Sequence, residues 1–264
     1  MKRENIMPKF SANLSMLFQE VDFLERFAKA ADNGFSAVEF MFPYDWPAAE
    51  VAERLQRHGQ RQVLHNLPAG DWGAGERGIA CLPGRESEFQ DGVGRAIEYA
   101  KALHCPQLNC LAGLMPADVP AEKVLETLIV NLRFAAEALA REEIGLLIEP
   151  LNNKDIPGFL LTTSAEGCRV IDAVGHDNVK LQYDIYHMQR MEGDLVNTMS
   201  ALIGRIGHIQ LADNPGRHEP GSGEINYDYL FKAIDNLGYQ GWIGCEYIPA
   251  AGTEAGLGWL DPYR

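Results

Sequence analysis

Four polar side chains close apolar runs in the second half of the chain, and together they have the chemistry to hold a cation and move protons. Glu149 follows Leu146-Leu147-Ile148, Asp184 follows Leu181-Gln182-Tyr183, Gln210 follows His208-Ile209, and Glu246 follows Ile243-Gly244-Cys245. Taken singly, a carboxylate in such a place serves equally well as a helix cap or an ion-pair partner. Three of them converging on one mouth repel each other unless a cation sits among them. All four residues offer oxygen, with no thiolate and at most one imidazole nearby, so the expected ion is Mg2+ or Mn2+ rather than zinc. Such a site suits a small anionic hydroxy-carbonyl substrate: the ion takes adjacent oxygens, and Glu149 and Glu246 pass a proton between neighbouring carbons through an enediolate.

Other side chains are candidates for holding that substrate. His65, in Leu64-His65-Asn66, and His187, three residues after Asp184, can reach the same mouth. His187 equally suits metal ligation, and either ring suits a neutral histidine satisfied by backbone groups. His58, His104 and His176 fall at helix ends and read as structural. Arg217 lies in the turn-rich segment from Asp213 to Glu224 and can present its fork to a carboxylate; an exposed pair with Glu219 is the alternative. Arg77 and Arg85 are weaker candidates, with Glu76 as an ion-pair partner. Trp72 is a candidate cover for the pocket, and Trp242 reads as core.

For these residues to meet, the chain must bring several strand ends together. Eight apolar runs read as strands: Phe10 to Leu14, Ala37 to Phe42, Gln62 to Leu67, Leu108 to Leu111, Gly145 to Leu151, Val179 to Tyr183, Ile206 to Leu211 and Trp242 to Tyr247. Several are nearly continuously apolar, as parallel strands covered on both faces are. Amphipathic stretches lie between them, the clearest through Leu125, Leu128, Ile129, Leu132, Ala135, Ala136 and Leu139. Gly34, Gly59, Gly175 and Gly238 stand where helices should stop. Eight strand-plus-helix units of about 30 residues predict a single (β/α)8 TIM barrel over residues 1–264, whose chemistry sits at the C-terminal strand ends. The last helix is expected as a short one from Thr253 to Trp259.

A doubly wound nucleotide-binding sheet is the competing α/β fold, and Gly73-Ala74-Gly75-Glu76-Arg77-Gly78 satisfies its G-x-G-x-x-G pattern. That fingerprint requires glycines joining a strand directly to a helix N-terminus. Here Pro68 to Trp72 intervene before it and Cys81-Leu82-Pro83-Gly84 after it, so it reads as a mobile loop over a pocket, and no nucleotide cofactor is expected.

Composition bounds the partners. The 264 residues carry 23 Lys and Arg against 37 Asp and Glu, a formal net charge of −14 that opposes a nucleic-acid partner. No apolar run approaches the roughly 18 residues of a membrane span. The opening Met1 to Ile6 leads into polar residues, so the chain is expected in the cytoplasm, with these six residues as an extension. Cys81, Cys105, Cys110, Cys168 and Cys245 are odd in number and irregular in spacing, which fits reduced thiols. Homo-oligomerisation is left open.

Longer blocks carry a family resemblance. Met7 to Phe18, Leu64 to Trp72, Gly75 to Cys81, Tyr183 to Gly193 and Gly223 to Tyr227 closely resemble the bacterial hydroxypyruvate isomerase family, and the likeness runs from Met7 through nearly the whole chain. The resemblance implies a xylose-isomerase-like barrel that interconverts hydroxypyruvate and 2-hydroxy-3-oxopropanoate (tartronate semialdehyde) in glyoxylate metabolism. It also implies that Glu149 and Glu246 transfer the proton and that Glu149, Asp184, Gln210 and Glu246 hold the metal. Related ketose epimerases commonly have histidine where this chain has Gln210, a departure that bears on metal binding. A hydride shift is the alternative chemical route. Three competing readings are a 2-oxotetronate or other sugar-acid isomerase on the same fold, a metal-dependent endonuclease, and a barrel that binds a sugar acid without turning it over. The net charge and the shortage of histidine ligands oppose the second; both glutamates oppose the third.

Overall fold

The expected strands form and close on themselves. In the computed structural model, which describes residues 8–263, they are β1 (Lys9–Asn13), β2 (Ala37–Glu39), β3 (Arg61–Asn66), β4 (Gln107–Cys110), β5 (Gly145–Ile148), β6 (Val179–Asp184), β7 (Ile206–Leu211) and β8 (Trp242–Cys245). All neighbours pair in parallel, and β8 returns to β1 to complete an eight-stranded barrel. The expected (β/α)8 architecture is thus present. The segment 1–6, read as an extension, lies outside the described residues.

The helices wrap the outside: α1 (Phe23–Asp32), α2 (Ala48–Arg57), α3 (Glu86–Leu103), α4 (Ala121–Ala140), α5 (Ser164–Val174), α6 (Ile185–Met191), α7 (Leu195–Leu202) and α8 (Tyr227–Asn236). The apolar stripe of α4 packs Leu128, Leu132, Ala135, Ala136 and Leu139 inward, each out of solvent. Burying one such leucine contributes about 1.5–3 kcal/mol. A Thr163–Glu166 capping box opens α5, and Gly175 ends it at φ 67°. Between β6 and β7 the chain makes two short helices, broken where Gly193 and Asp194 both take positive φ.

Four elements differ from expectation in ways that matter. β2 stops at Glu39 rather than Phe42, because its register against β3 slips between Val38 and Glu39. β5 and β8 stop at Ile148 and Cys245, so Glu149 and Glu246 stand one residue beyond their ladders. The final segment is a 3-10 helix, Glu254–Tyr263, not an α-helix over Thr253 to Trp259. Gly256, Gly258 and Pro262 all disfavour an α-helix there, and Thr253 is tied to the first turn of the barrel through Phe18 and Glu20.

Alternation along each strand sorts the barrel interior into tiers. Ala37, Val63, Leu64 and Leu147 form an apolar floor; Trp242, expected as core, is partly buried and packs against this floor, with the Lys9 ammonium 5.4 Å from its ring. Above them come Ser11, Glu39, Gln182 and His208, all buried and polar. Asn13, Asn109, Glu149, Asp184, Gln210 and Glu246 form the top tier, also buried.

Candidate active site

Each top-tier side chain is aimed by the end of its strand. Pro150 follows Glu149 and has no N–H to extend the β5 ladder. Asp184 ends β6 and at once caps α6: its Oδ1 accepts from the backbone N–H groups of Tyr186 at 2.7 Å and His187 at 3.3 Å. One helical turn on, His187 is therefore returned to the same mouth. One donor atom from each of Glu149, Asp184, His187 and Glu246 lies within 4.8 Å of the others, and all four residues are buried.

The carboxylates are strained electrostatically. Burial first, then the charges of Glu246 and Asp184, push Glu149 well above the ordinary carboxylate range. Burial also raises Asp184, against the pull of Arg217 and of its two backbone donors. Glu246 is raised by burial against Arg217, with Asp184 and Glu39 adding to the rise. Arg217 is the cation that reaches them, 2.6 Å from Glu246 Oε2 and 3.8 Å from Asp184 Oδ2, with its guanidinium 5.2 Å from the Tyr186 ring. It comes from a loop held by the buried Asp213, whose carboxylate accepts the backbone N–H groups of Asn214, Gly221, Gly223 and Ile225. Of the two alternatives open for Arg217, the pair with Glu219 does not form.

Three carboxylates against one guanidinium leave two negative charges, which one divalent cation neutralises. Glu149 Oε1 and Asp184 Oδ2 are buried and have no hydrogen-bond partner among the described residues. Unpartnered buried carboxylate oxygens are costly without a cation, so this hard, oxygen-only donor set fits Mg2+ or Mn2+.

His187 divides from them by its hydrogen bonds. Its Nδ1 accepts from the backbone N–H of Asn152 at 3.1 Å. A backbone N–H can only donate, so Nδ1 is unprotonated and the neutral ring carries its hydrogen on Nε2, 3.6 Å from Asp184 Oδ2. Burial, then Arg217 and Arg190, hold its pKa well below the usual histidine value, which keeps the ring neutral. His187 thus offers an N–H donor to the mouth rather than a metal lone pair.

Gln210 reaches the group through its amide nitrogen, which donates to Glu246 Oε1 at 3.2 Å and to Glu39 Oε1 at 2.8 Å; its oxygen accepts from Gln182 at 2.6 Å. His65 stands apart, which corrects its reading as a substrate contact. Its ring lies on the outer face of β3 against Phe40 and Tyr44, and its Nδ1 accepts from Gln62. Burial takes its pKa down to about 3. Asn66, the next residue, shares the inward face with Asn109.

The loop after β3 is not a phosphate cradle. Gly78 lies against the end of β4, where a Cβ would come 2.3 Å from the Leu111 carbonyl oxygen, and no helix begins before Glu86. Trp72 is 37% exposed and borders a cavity of about 570 Å3 with Ser15, Met41, Phe42 and Tyr44. Arg77 stacks on Trp72 at 4.1 Å, and Arg85 pairs with Glu76 and Glu88, so both are engaged within this loop. All five cysteines are buried and unpaired. Among the described residues no helix is long and apolar enough to cross a membrane.

Sequence reasoning passed over the residues that hold the site. Asn109 donates to Glu149 Oε2 at 2.9 Å, and Asn13 to Glu246 Oε1 at 3.1 Å. Glu39, with His208 2.8 Å from its Oε2, lies directly beneath. The readable signal was a lone carboxylate inside the apolar run Ala37 to Phe42.

Comparison with known proteins agrees with this geometry. Residues 27–263 match the family described as xylose isomerase-like TIM barrel. The chain is 61% identical over 258 residues to hydroxypyruvate isomerase of Escherichia coli K12, covering 98% of this chain and 100% of that protein. It is 52% identical over 257 residues to 2-oxo-tetronate isomerase of Cupriavidus necator, covering 97% and 99%. A crystal structure from Brucella melitensis, titled AP endonuclease, family 2, superposes with a TM-score of 0.96 at 47% identity, over 98% of this chain and 100% of that one.

Proposed function

Because the chain belongs to the xylose isomerase-like TIM barrel family, we propose that it is an isomerase that interconverts hydroxypyruvate and 2-hydroxy-3-oxopropanoate by proton transfer. The observation that carries this reading is the buried group Glu149, Asp184, His187 and Glu246, gathered at the strand ends where such barrels do chemistry. The 61% identity to a protein named for this reaction supports it.

The reaction is balanced without an oxidant. One glutamate takes a proton from C3, the C–H electrons become the C2–C3 double bond of an enediolate, and the other glutamate returns a proton to C2. O3 loses its proton and O2 gains one, so C3 ends as the aldehyde. Glu149 and Glu246 serve as this pair because both face the mouth and burial raises the pKa of each, which favours the acid form and lets each act as acid as well as base. His187 donates its Nε2 hydrogen to a substrate oxygen, and Arg217 takes the substrate carboxylate. Mg2+ or Mn2+ would be held by Glu149, Asp184 and Glu246 and would supply positive charge that acidifies the C3 proton, while Gln210, expected as a fourth ligand, turns its NH2 to Glu246 and its oxygen to Gln182 and so orients that carboxylate instead.

The test is turnover of hydroxypyruvate by metal-stripped protein, with and without added Mg2+ or Mn2+, following the aldehyde by NMR. In D2O the product should carry deuterium at C2; its absence there would replace proton transfer by a hydride shift. Turnover confined to 2-oxotetronate would keep the mechanism and change the substrate. That second reading has its own support, the 52% identical relative named for it. Turnover of neither, in folded protein, would overturn both.

A further inference from the structure

Glu39 is the one carboxylate of the barrel interior that has donors on both oxygens and no role in the chemistry above. It is fully buried one tier below Glu246. Its Oε2 accepts from Ser11 Oγ at 2.9 Å and lies 2.8 Å from His208 Nε2. Its Oε1 accepts from Asn13 Nδ2 at 3.2 Å and from Gln210 Nε2 at 2.8 Å. Those same two nitrogens donate to one oxygen of Glu246, at 3.1 Å from Asn13 and 3.2 Å from Gln210. An amide NH2 carries two hydrogens, so each can give one to the lower carboxylate and one to the upper. Two amides are thereby clamped between two carboxylates.

The clamp fixes which way each amide faces. Turning either over would put a carbonyl oxygen between two carboxylates. At Asn13 the other end agrees independently, its Oδ1 accepting from the backbone N–H of Ser15 at 3.0 Å; Gln210 Oε1 accepts from the Gln182 amide at 2.6 Å. Room for the clamp is reserved on β8. A Cβ on Gly244 would lie 2.3 to 2.5 Å from the Glu39 carboxylate, so that carboxylate fills the place of a side chain two residues below Glu246.

We infer that Glu39 is a positioning residue for Glu246, acting through Asn13 and Gln210 to pin one oxygen of that carboxylate and leave the other to the mouth. With Glu39→Gln the two amides face at most one neutral carbonyl oxygen in place of a carboxylate, which weakens the lower hydrogen bond of each. Glu246 then samples orientations that miss the reacting carbon. The kinetic consequence rests on the isomerase reading; the orientation of the amides does not.

The experiment is Glu39→Gln in the full chain, read two ways. On the isomerase reading, kcat should fall about 100-fold, the cost of misplacing a reacting group by an ångström, with KM and the Mn2+ affinity by calorimetry holding within roughly threefold. Val38→Ala, a cavity on the outer face of the same strand, should lower the melting temperature and leave kcat alone. In 15N-labelled protein without substrate, the side-chain NH2 signals of Asn13 and Gln210 should be protected from solvent exchange and lose that protection in Glu39→Gln. If Glu39→Gln does not fold, Glu39→Asp, which retracts the carboxylate by one methylene, carries the same readings. A kcat within roughly threefold of the parent, or a loss that merely follows the melting temperature as Val38→Ala does, would overturn the proposal. So would unchanged NH2 protection, and that arm decides even if the parent turns over neither hydroxypyruvate nor 2-oxotetronate.

Discussion

Glu39 and Glu149 are both buried glutamates on the inner wall of one barrel, a tier apart, and their acidities move in opposite directions. Burial works against the charge of each. At Glu39 it is outweighed by His208 and by hydrogen bonds from His208, Gln210 and Ser11, and the pKa is held below the ordinary value. At Glu149 burial is joined by the charges of Glu246 and Asp184, and the pKa climbs. One of its oxygens accepts from Asn109, and the other has no partner. Depth therefore does not decide what a buried carboxylate does. At these two the balance of donors against neighbouring negative charge does: Glu39 faces His208 and has donors on both oxygens, whereas Glu149 faces two further carboxylates with one oxygen unpartnered.

The sharpest way to break that contrast is to neutralise the upper tier. Glu149→Gln and Glu246→Gln should each cost at least about 100-fold in turnover of hydroxypyruvate, the low end for a positioned acid or base. Near-normal rates in either folded variant would remove that residue from the mechanism. Next comes the cation at the mouth: Arg217→Met should raise KM by roughly tenfold or more, since a charge-assisted hydrogen bond is worth about 1.5–3 kcal/mol. An unchanged KM would mean that the substrate carboxylate is held elsewhere.

Acidity gives a third handle. A carboxylate whose pKa rises on folding binds more protons in the native state, so its contribution to stability is full below the unfolded pKa and is lost as pH climbs through the folded one. Glu149, Asp184 and Glu246 all shift that way. Metal-stripped protein should therefore lose a few degrees of melting temperature between about pH 5 and pH 8, and added Mg2+ or Mn2+ should restore more at the upper end. Glu149→Gln should flatten the slope. Glu39→Gln should flatten it only slightly, because the Glu39 carboxylate is itself ionised in both states across that window and acts only through the charge it sets against Asp184 and Glu246; a flattening as large as that of Glu149→Gln would reverse the comparison. The smallest effect belongs to the half-buried pair in the loop after β3, where Arg85→Gln should cost about 1 kcal/mol by denaturant unfolding and leave kcat unchanged.

The upper tier was legible in the sequence and the lower one was not, for a geometric reason. Glu149, Asp184, Gln210 and Glu246 each terminate an apolar run, and in a parallel barrel a run's end is also its place at the mouth. Glu39 sits within a run that the pattern extends to Phe42, and only the register slip against β3 ends the strand at that residue. His65 illustrates the converse. It stands at a strand end as the others do, yet which face a residue takes depends on pairing, and the slip turns Asn66 inward instead. The protonation of His187 rests on Asn152, a partner 35 residues away, which no local pattern carries.

Gly244 also has a meaning for the protein's history. Since the Glu39 carboxylate occupies the volume that any side chain at 244 would need, the two positions are not free to drift separately. A lineage that gained a methyl group at 244 would first have had to shorten residue 39, and would then have lost the acceptor that orients Asn13 and Gln210. Each position restricts change at the other, because a side chain on β8 there and the carboxylate on β2 compete for one volume.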